Sequence, residues 1–180
     1  TSFGLESPLW FAGEGEAPRD EFSFRRSNDF ESVRRSCFAV REGVAMIEIS
    51  NFANYEIDGP GADAWLDGLL ANRLPGEGRM VLSPMLNDRG GLTGDFTLSH
   101  LSGGRFFIAG SGVAEAYHMR WFSDRLPKSG VHLRAASLDH CGLPIAGPNS
   151  RELLPRLPRR HLGPHAVRIL AIDQIEVGMP

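Results

Sequence analysis

Three apolar-rich segments, about 79–85, 91–99 and 105–110, follow one another with only "NDRGG" and "SGG" between them. Links that short reverse a chain between antiparallel strands, whereas a parallel crossover needs a dozen or more residues. This stretch is therefore confined to hairpin-built sheet, and βαβ repetition is excluded for it. In "GLTGDFTLSH" Leu92, Gly94, Phe96 and Leu98 alternate with Thr93, Asp95, Thr97 and Ser99, as in a strand with one wet face. A carboxylate at the centre of a strand is disfavoured by propensity. Asp95 then either meets bulk water or lines a polar site. Its small hydroxyl neighbours suit the second role, and Gly94 would let a ring or a backbone approach.

The flanking segments supply the rest of the fold. "SNDFESVRRSCFAVREGV" predicts a helix capped by Asn28 with Glu31 completing a capping box, and Phe30, Val33, Cys37, Val40 and Val44 as its core stripe. "AMIEIS" and "NYEID" alternate as two short strands that the link "NFA" would join as a hairpin. Asp58-Gly59-Pro60 opens a second helix with Ala62, Trp65, Leu66, Leu69 and Leu70 on its buried side. "SGVAEAYHMRWFSDRLP" predicts a third, with Val113, Tyr117 and Trp121 four apart and Pro127 beyond its end. The fold class expected is α+β: antiparallel sheets with packed helices.

Beyond residue 130 the chain begins again. "YEIDGPGADAWLDGLL" laid over "LPIAGPNSRELLPRL" at a shift of 88 matches Ile57 with Ile145, Gly59 with Gly147, Pro60 with Pro148, Leu66 with Leu154 and Leu69 with Leu157. "HLRAAS" and "GLPIAG" supply the strands of that second copy, and "PNSRELLPRL" supplies its helix. The expected organisation is a strand-strand-helix-strand-strand-strand-helix unit over 44–127 and an incomplete copy over 131–180, in a domain spanning 28–180. The second copy stops short, so a fragment is expected, with room for one further strand in 158–180. Residues 1–27 lack a sustained period and suit a lead-in arm lying on another surface.

Composition narrows the chemistry. A net charge of −3 over 180 residues gives no electrostatic footprint for nucleic acid. No apolar run approaches the roughly 20 residues that cross a bilayer, and the start lacks the pattern of a secretory signal. Cys37 and Cys141 stand far apart without CxxC spacing, so two reduced, buried thiols in a cytoplasmic setting are expected. His100, His118, His132, His140, His161 and His165 form no recognised metal-ligand spacing, and His118 suits an ordinary surface or interface position. No GxSxG or Cys–His arrangement offers a nucleophile. Ser111-Gly112 could at most present backbone N–H groups to an anion.

The motifs "SNDFESVRRSCFAVREGVAMIEISNFANYEIDGPGADAWLDGLLANRLP", "LSPMLNDRGGLTGDFTLSHL" and "GSGVAEAYHMRWF" resemble the folate-binding C-terminal region of the dimethylglycine and sarcosine dehydrogenase family, itself similar to the glycine-cleavage aminomethyltransferase, the T protein. The resemblance implies two swapped α+β repeats that bind tetrahydrofolate. It also implies a tetrahydrofolate-dependent one-carbon transferase coupled to an FAD-dependent dehydrogenase in an upstream flavin domain, to which 1–27 would lead. Asp95 falls at the family's acidic position beside the folate nitrogens, where it would be catalytic. Phe52, Leu82, Ala109 and Gly110 fall at other folate contacts. Leu82 stands where several relatives carry tyrosine, and the later "TGE" segment that supplies a tyrosine and a glutamate is not in this sequence. Alone, the chain is not expected to oxidise an amine. A non-catalytic folate-binding or docking and channelling module is the alternative. The implied compartment is the cytoplasm, or the mitochondrial matrix in a eukaryote.

Overall fold

The computed structural model describes residues 10–156 and 169–173. They fall into two compact units, one of Thr1–Ile47 with Ile145–Leu154 and one of Glu48–Pro144 with Pro155–Pro180.

The larger unit is a five-stranded antiparallel sheet in the order β3-β4-β5-β2-β6, formed by β2 (Ala53–Asp58), β3 (Arg79–Leu86), β4 (Leu92–His100), β5 (Phe106–Gly110) and β6 (His132–Ala135). The two short links act as hairpins, as their length dictates: Asn87 Oδ1 accepts from the Arg89 and Gly91 amides in the first, each at 2.9 Å. One sheet face carries the core, with Tyr55, Ile57, Phe96, Leu98, Phe106 and Ile108 all essentially inaccessible. α2 (Ala62–Leu69) and α3 (Glu115–Arg125) add Ala62, Leu66 and Phe122 to that cluster. The Trp65 indole N–H donates to the Arg125 carbonyl at 2.8 Å and ties the two helices together. A two-layer unit results, helices on one side and an open sheet face on the other.

Edge strand β3 is short of free backbone. Leu70 bridges Met85, the Ala71 amide donates to the Pro84 carbonyl at 2.9 Å, and Asn72 Nδ2 donates to the Leu82 carbonyl at 3.0 Å. At its other end Ala171 bridges Arg79. Between these contacts Pro84 has no amide hydrogen to offer.

The smaller unit holds α1 (Phe30–Glu42), the two-residue strands β1 (Ala45–Met46) and β7 (Ile145–Ala146), which pair antiparallel, and α4 (Ser150–Leu153). The glycines matched at the 88-residue shift have the same local geometry. Gly59 has φ +111° and Gly147 φ +123°. A side chain at Gly59 would strike the Gly130 carbonyl, and one at Gly147 would strike the Gly43 carbonyl. Each of those carbonyls also accepts a backbone bond from two residues past its glycine: Gly61 N to Gly130 O at 2.8 Å, and Asn149 N to Gly43 O at 3.1 Å.

Several sequence expectations are corrected. The hairpin of 45–50 with 54–58 does not form: β1 ends at Met46 and pairs with β7, while β2 pairs with β5 and β6. A turn closed by the Phe52 amide on the Ile49 carbonyl at 3.3 Å occupies the link. The α1 cap is Asp29 rather than Asn28, whose side chain instead binds the Glu21 amide and the Arg19 carbonyl, each at 2.9 Å. The stripe expected to be buried on α1 is not, since that helix has no buried residue. Cys37 is accordingly exposed, and so is Cys141, although both are free thiols. On α3 the buried face is His118 and Phe122, one residue out of phase with the expected Val113-Tyr117-Trp121 line. A tight 3₁₀ turn at Gly112–Ala114 precedes the helix, and Val113 within it is exposed. The expected strand in 158–180 and the helix end at Leu157 lie largely outside the described residues.

Candidate functional site on the open face of the sheet

The open face is set by register. Leu82 pairs with Thr97 and Thr97 with Ala109, so β3, β4 and β5 carry these three side by side. Asn54 continues that row on β2. Asp95 lies one step along β4 opposite Pro84, on the same face. The structure thus brings Asp95, Leu82 and Ala109 together. Asp95 is exposed, and no side chain among the described residues pairs with it. Leu82 is 65% exposed, an apolar surface without cover among the described residues. Gly110 belongs to the opposite face, where the Phe96 ring occupies the space a side chain would need. Phe52, 44% exposed, sits in the turn just before Ala53, the partner of Gly110.

The same face is charged at its far end. Glu56 accepts from Arg134 at 2.7 Å and meets His140 at 3.2 Å, while Arg134 also binds Asp139. The Arg134 bond is the main reason the Glu56 carboxyl is held below its usual range. Among the described residues no group of three or more His, Cys, Asp or Glu side chains is arranged to hold a metal ion.

Sequence reasoning missed the apparatus behind Asp95. Met85 pairs with Gly94 but Leu86 pairs with Leu92, so Thr93 is an extra residue, a β-bulge. The bulge reverses the alternation at the start of β4. Leu92, expected inside, is 66% exposed. Thr93 Oγ1 donates to the Met85 carbonyl at 2.9 Å. His118, expected at the surface, is 2% exposed beneath this point, its Nε2 3.2 Å from where a Gly94 side chain would begin. Its Nδ1 lies 3.0 Å from the Tyr55 hydroxyl. Burial lowers the His118 pKa and so favours the neutral imidazole. Burial also raises the Tyr55 pKa, with a smaller push from Glu115. The one available signal was the glycine pair 94 and 110, which leaves space for the Phe96 ring that packs edge-on to His118 at 4.7 Å.

A histidine whose folded pKa lies below its unfolded value of 6.5 releases its proton on folding. Its contribution is complete above the unfolded pKa and is lost as pH falls below it. Thermal melts from pH 8 to pH 5 are therefore expected to show a falling midpoint below about pH 6.5. His118→Gln should flatten that part of the profile; the same slope in the variant would assign it elsewhere.

The chain belongs to the GCVT N-terminal domain family, whose model matches residues 1–179, and is thus an aminomethyltransferase-like module. It is 33% identical over 176 residues to mitochondrial dimethylglycine dehydrogenase of Homo sapiens, covering 97% of this chain and 20% of that protein. It is 28% identical to the formaldehyde-forming 4-methylaminobutanoate oxidase of Paenarthrobacter nicotinovorans, covering 97% of this chain and 21% of that protein. The chain thus spans about a fifth of the length of these relatives. Among solved structures it resembles the glycine cleavage system aminomethyltransferase T from Bartonella henselae, with a TM-score of 0.61 and 22% identity over 67% of this chain and 33% of that one. That likeness establishes the α+β fold.

Proposed function

We propose that this chain is the tetrahydrofolate-binding module of a dimethylglycine or sarcosine dehydrogenase-type enzyme, where it captures the one-carbon unit released by N-demethylation. The observation that carries the proposal is the placement of Asp95, Leu82 and Ala109 on one open sheet face in a member of this family. The face suits a flat heterocycle with N–H groups along one edge. Leu82 offers an apolar platform, Ala109 leaves clearance, Thr97 supplies a hydroxyl between them, and Asp95 supplies an acceptor. Phe52 and Gly110 complete the proposed contacts from the adjoining turn and strand end.

Tetrahydrofolate supplies two nucleophilic nitrogens, and capture joins both to the incoming carbon as 5,10-methylenetetrahydrofolate. The donor is an iminium, whose carbon–nitrogen bond breaks as its amine leaves, or formaldehyde, which loses water. Asp95 orients the folate nitrogens, takes the proton that leaves one of them, and opposes the positive charge that builds there. FAD and the oxidation belong to an upstream domain of the longer enzyme, with no site assigned here. The cytoplasm, or the mitochondrial matrix in a eukaryote, is the matching compartment, and the human relative is named as mitochondrial.

Calorimetric titration of tetrahydrofolate into the full-length protein tests the proposal. Saturable heat is expected; its absence would leave the docking and channelling role in possession.

A further inference from the structure

We infer that residues 136–142 form a strap that Glu56 latches onto the open sheet face, and that this strap bounds the Asp95 face along its β2 side. The inference rests on the folate function proposed for that face and adds where the ligand must stop.

The segment leaves the sheet at the end of β6 and is tied back to it at both ends. The Ala136 amide donates to the Asn54 carbonyl at 2.7 Å, and the Asn54 amide donates to the Ser137 hydroxyl at 2.9 Å. Ser137 gives its own proton to Glu115 at the start of α3. The Asp139 amide closes a turn onto the Ala136 carbonyl at 3.0 Å. Further on, the Gly142 amide donates to the Ser50 hydroxyl at 3.2 Å, and the Gly142 carbonyl accepts from the Ile49 amide at 2.8 Å. Leu138 within the strap is fully exposed.

Between these ends the hold comes from side chains standing on the sheet. Register sets Phe107 of β5, Glu56 of β2 and Arg134 of β6 in one row. His140 meets that row, with Nε2 3.2 Å from Glu56 and its ring edge-on to Phe107 at 5.1 Å. Arg134 divides its guanidinium between Glu56 and Asp139, so the residue next to His140 is gripped as well. A single exposed ion pair holds little, but linked pairs restrain one another. The strap also lies next to the proposed site. It is anchored at Asn54, which faces Ala109 across one strand spacing of roughly 5 Å. Phe107, under His140, is two residues from Ala109 on the same strand and face. Exposure follows this placement: Asn54 is 7% exposed and Leu82, at the other end of its row, 65%. A flat ligand over Leu82, Thr97 and Ala109 has free surface toward β3 and meets the strap toward β2.

The test compares Glu56→Met with Asp58→Leu in the full-length protein. Each removes a carboxylate from the same face of β2, but Glu56 bonds to His140 of the strap, whereas Asp58 pairs with His132 of β6 at 2.7 Å. Amide hydrogen exchange at residues 139–142, measured without folate, should rise about fivefold in Glu56→Met and stay unchanged in Asp58→Leu. The Ala136 amide, held by the Asn54 carbonyl, is the internal control and should not move. In Glu56→Met the KM for tetrahydrofolate should rise by about the same factor while kcat for folate-dependent product stays level, because the strap bounds the ligand and leaves Asp95 in place. Glu56→Gln, which keeps a neutral acceptor, should restore part of both losses. Unchanged exchange at 139–142 in Glu56→Met would overturn the latch, as would an equal rise in Asp58→Leu. A loosened strap with an unchanged KM would overturn its role as the border of the site. If the unsubstituted protein binds no tetrahydrofolate, the folate function falls instead, and the exchange comparison still decides whether Glu56 holds the strap.

Discussion

Gly112→Ala is expected to destabilise the protein more than any substitution on its open surface. The new methyl would run into the Asn51 carbonyl oxygen, far inside the 3.0 Å that such carbons keep from other heavy atoms. The contact is backbone against backbone, so no side-chain rotation relieves it. Asn51 cannot retreat freely either, because Ala53 is held in register with Gly110 two residues later. The turn carrying Phe52 and the start of α3 must separate, and the cost is about 3 kcal/mol or more. Urea unfolding of the variant measures it. Gly68→Ala is the matched control, since a side chain there meets nothing within 4 Å and the residue lies inside α2. The control should leave stability unchanged or raised. Equal midpoints for the two variants would mean that the Gly112–Asn51 approach is not a fixed feature of the fold.

Asp95→Asn is expected to act on the reaction and spare the fold. The carboxylate is exposed, so exchanging it for an amide of equal size leaves nothing buried without a partner. The proposed proton acceptor is lost all the same. Folate-dependent product in the full-length enzyme should then fall by about 10²–10⁴-fold, the usual contribution of a positioned acid–base group. Product yield is compared with tetrahydrofolate present and with flavin reduction followed separately. Amine oxidation should continue while capture of the carbon fails. Unchanged folate-dependent yield would remove Asp95 from the chemistry and leave it a solvated residue of an open strand.

Local rules carried the larger sheet a long way. Link length alone dictated the β3-β4-β5 meander, and the apolar spacing of Ala62, Leu66 and Leu69 placed α2 correctly because that spacing faces a sheet. They failed where a partner lies far along the chain. "AMIEIS" alternates like a strand, yet only its first two residues find a ladder, with Ile145 and Ala146. The α1 stripe has good helical period, but period says nothing about whether a surface arrives to cover it. For the site, alternation put Asp95 on the wet face with Thr97, and register then brought Leu82 and Ala109 beside it. Alternation could not reveal the Thr93 bulge, because one inserted residue shifts the phase without changing the composition. His118 was misplaced for a related reason: the tyrosine whose hydroxyl makes its burial tolerable lies far off in the sequence.

The covered margin of β3 bears on how molecules of this protein meet one another. A bare outermost strand would invite a second chain to extend the sheet, the first step toward fibrils. Here Asn72 and Ala71 already take the carbonyls of Leu82 and Pro84, and the imino acid between Ser83 and Met85 cannot donate to a newcomer. Crowded copies are thereby turned away at this border even though Leu82 lies bare beside it.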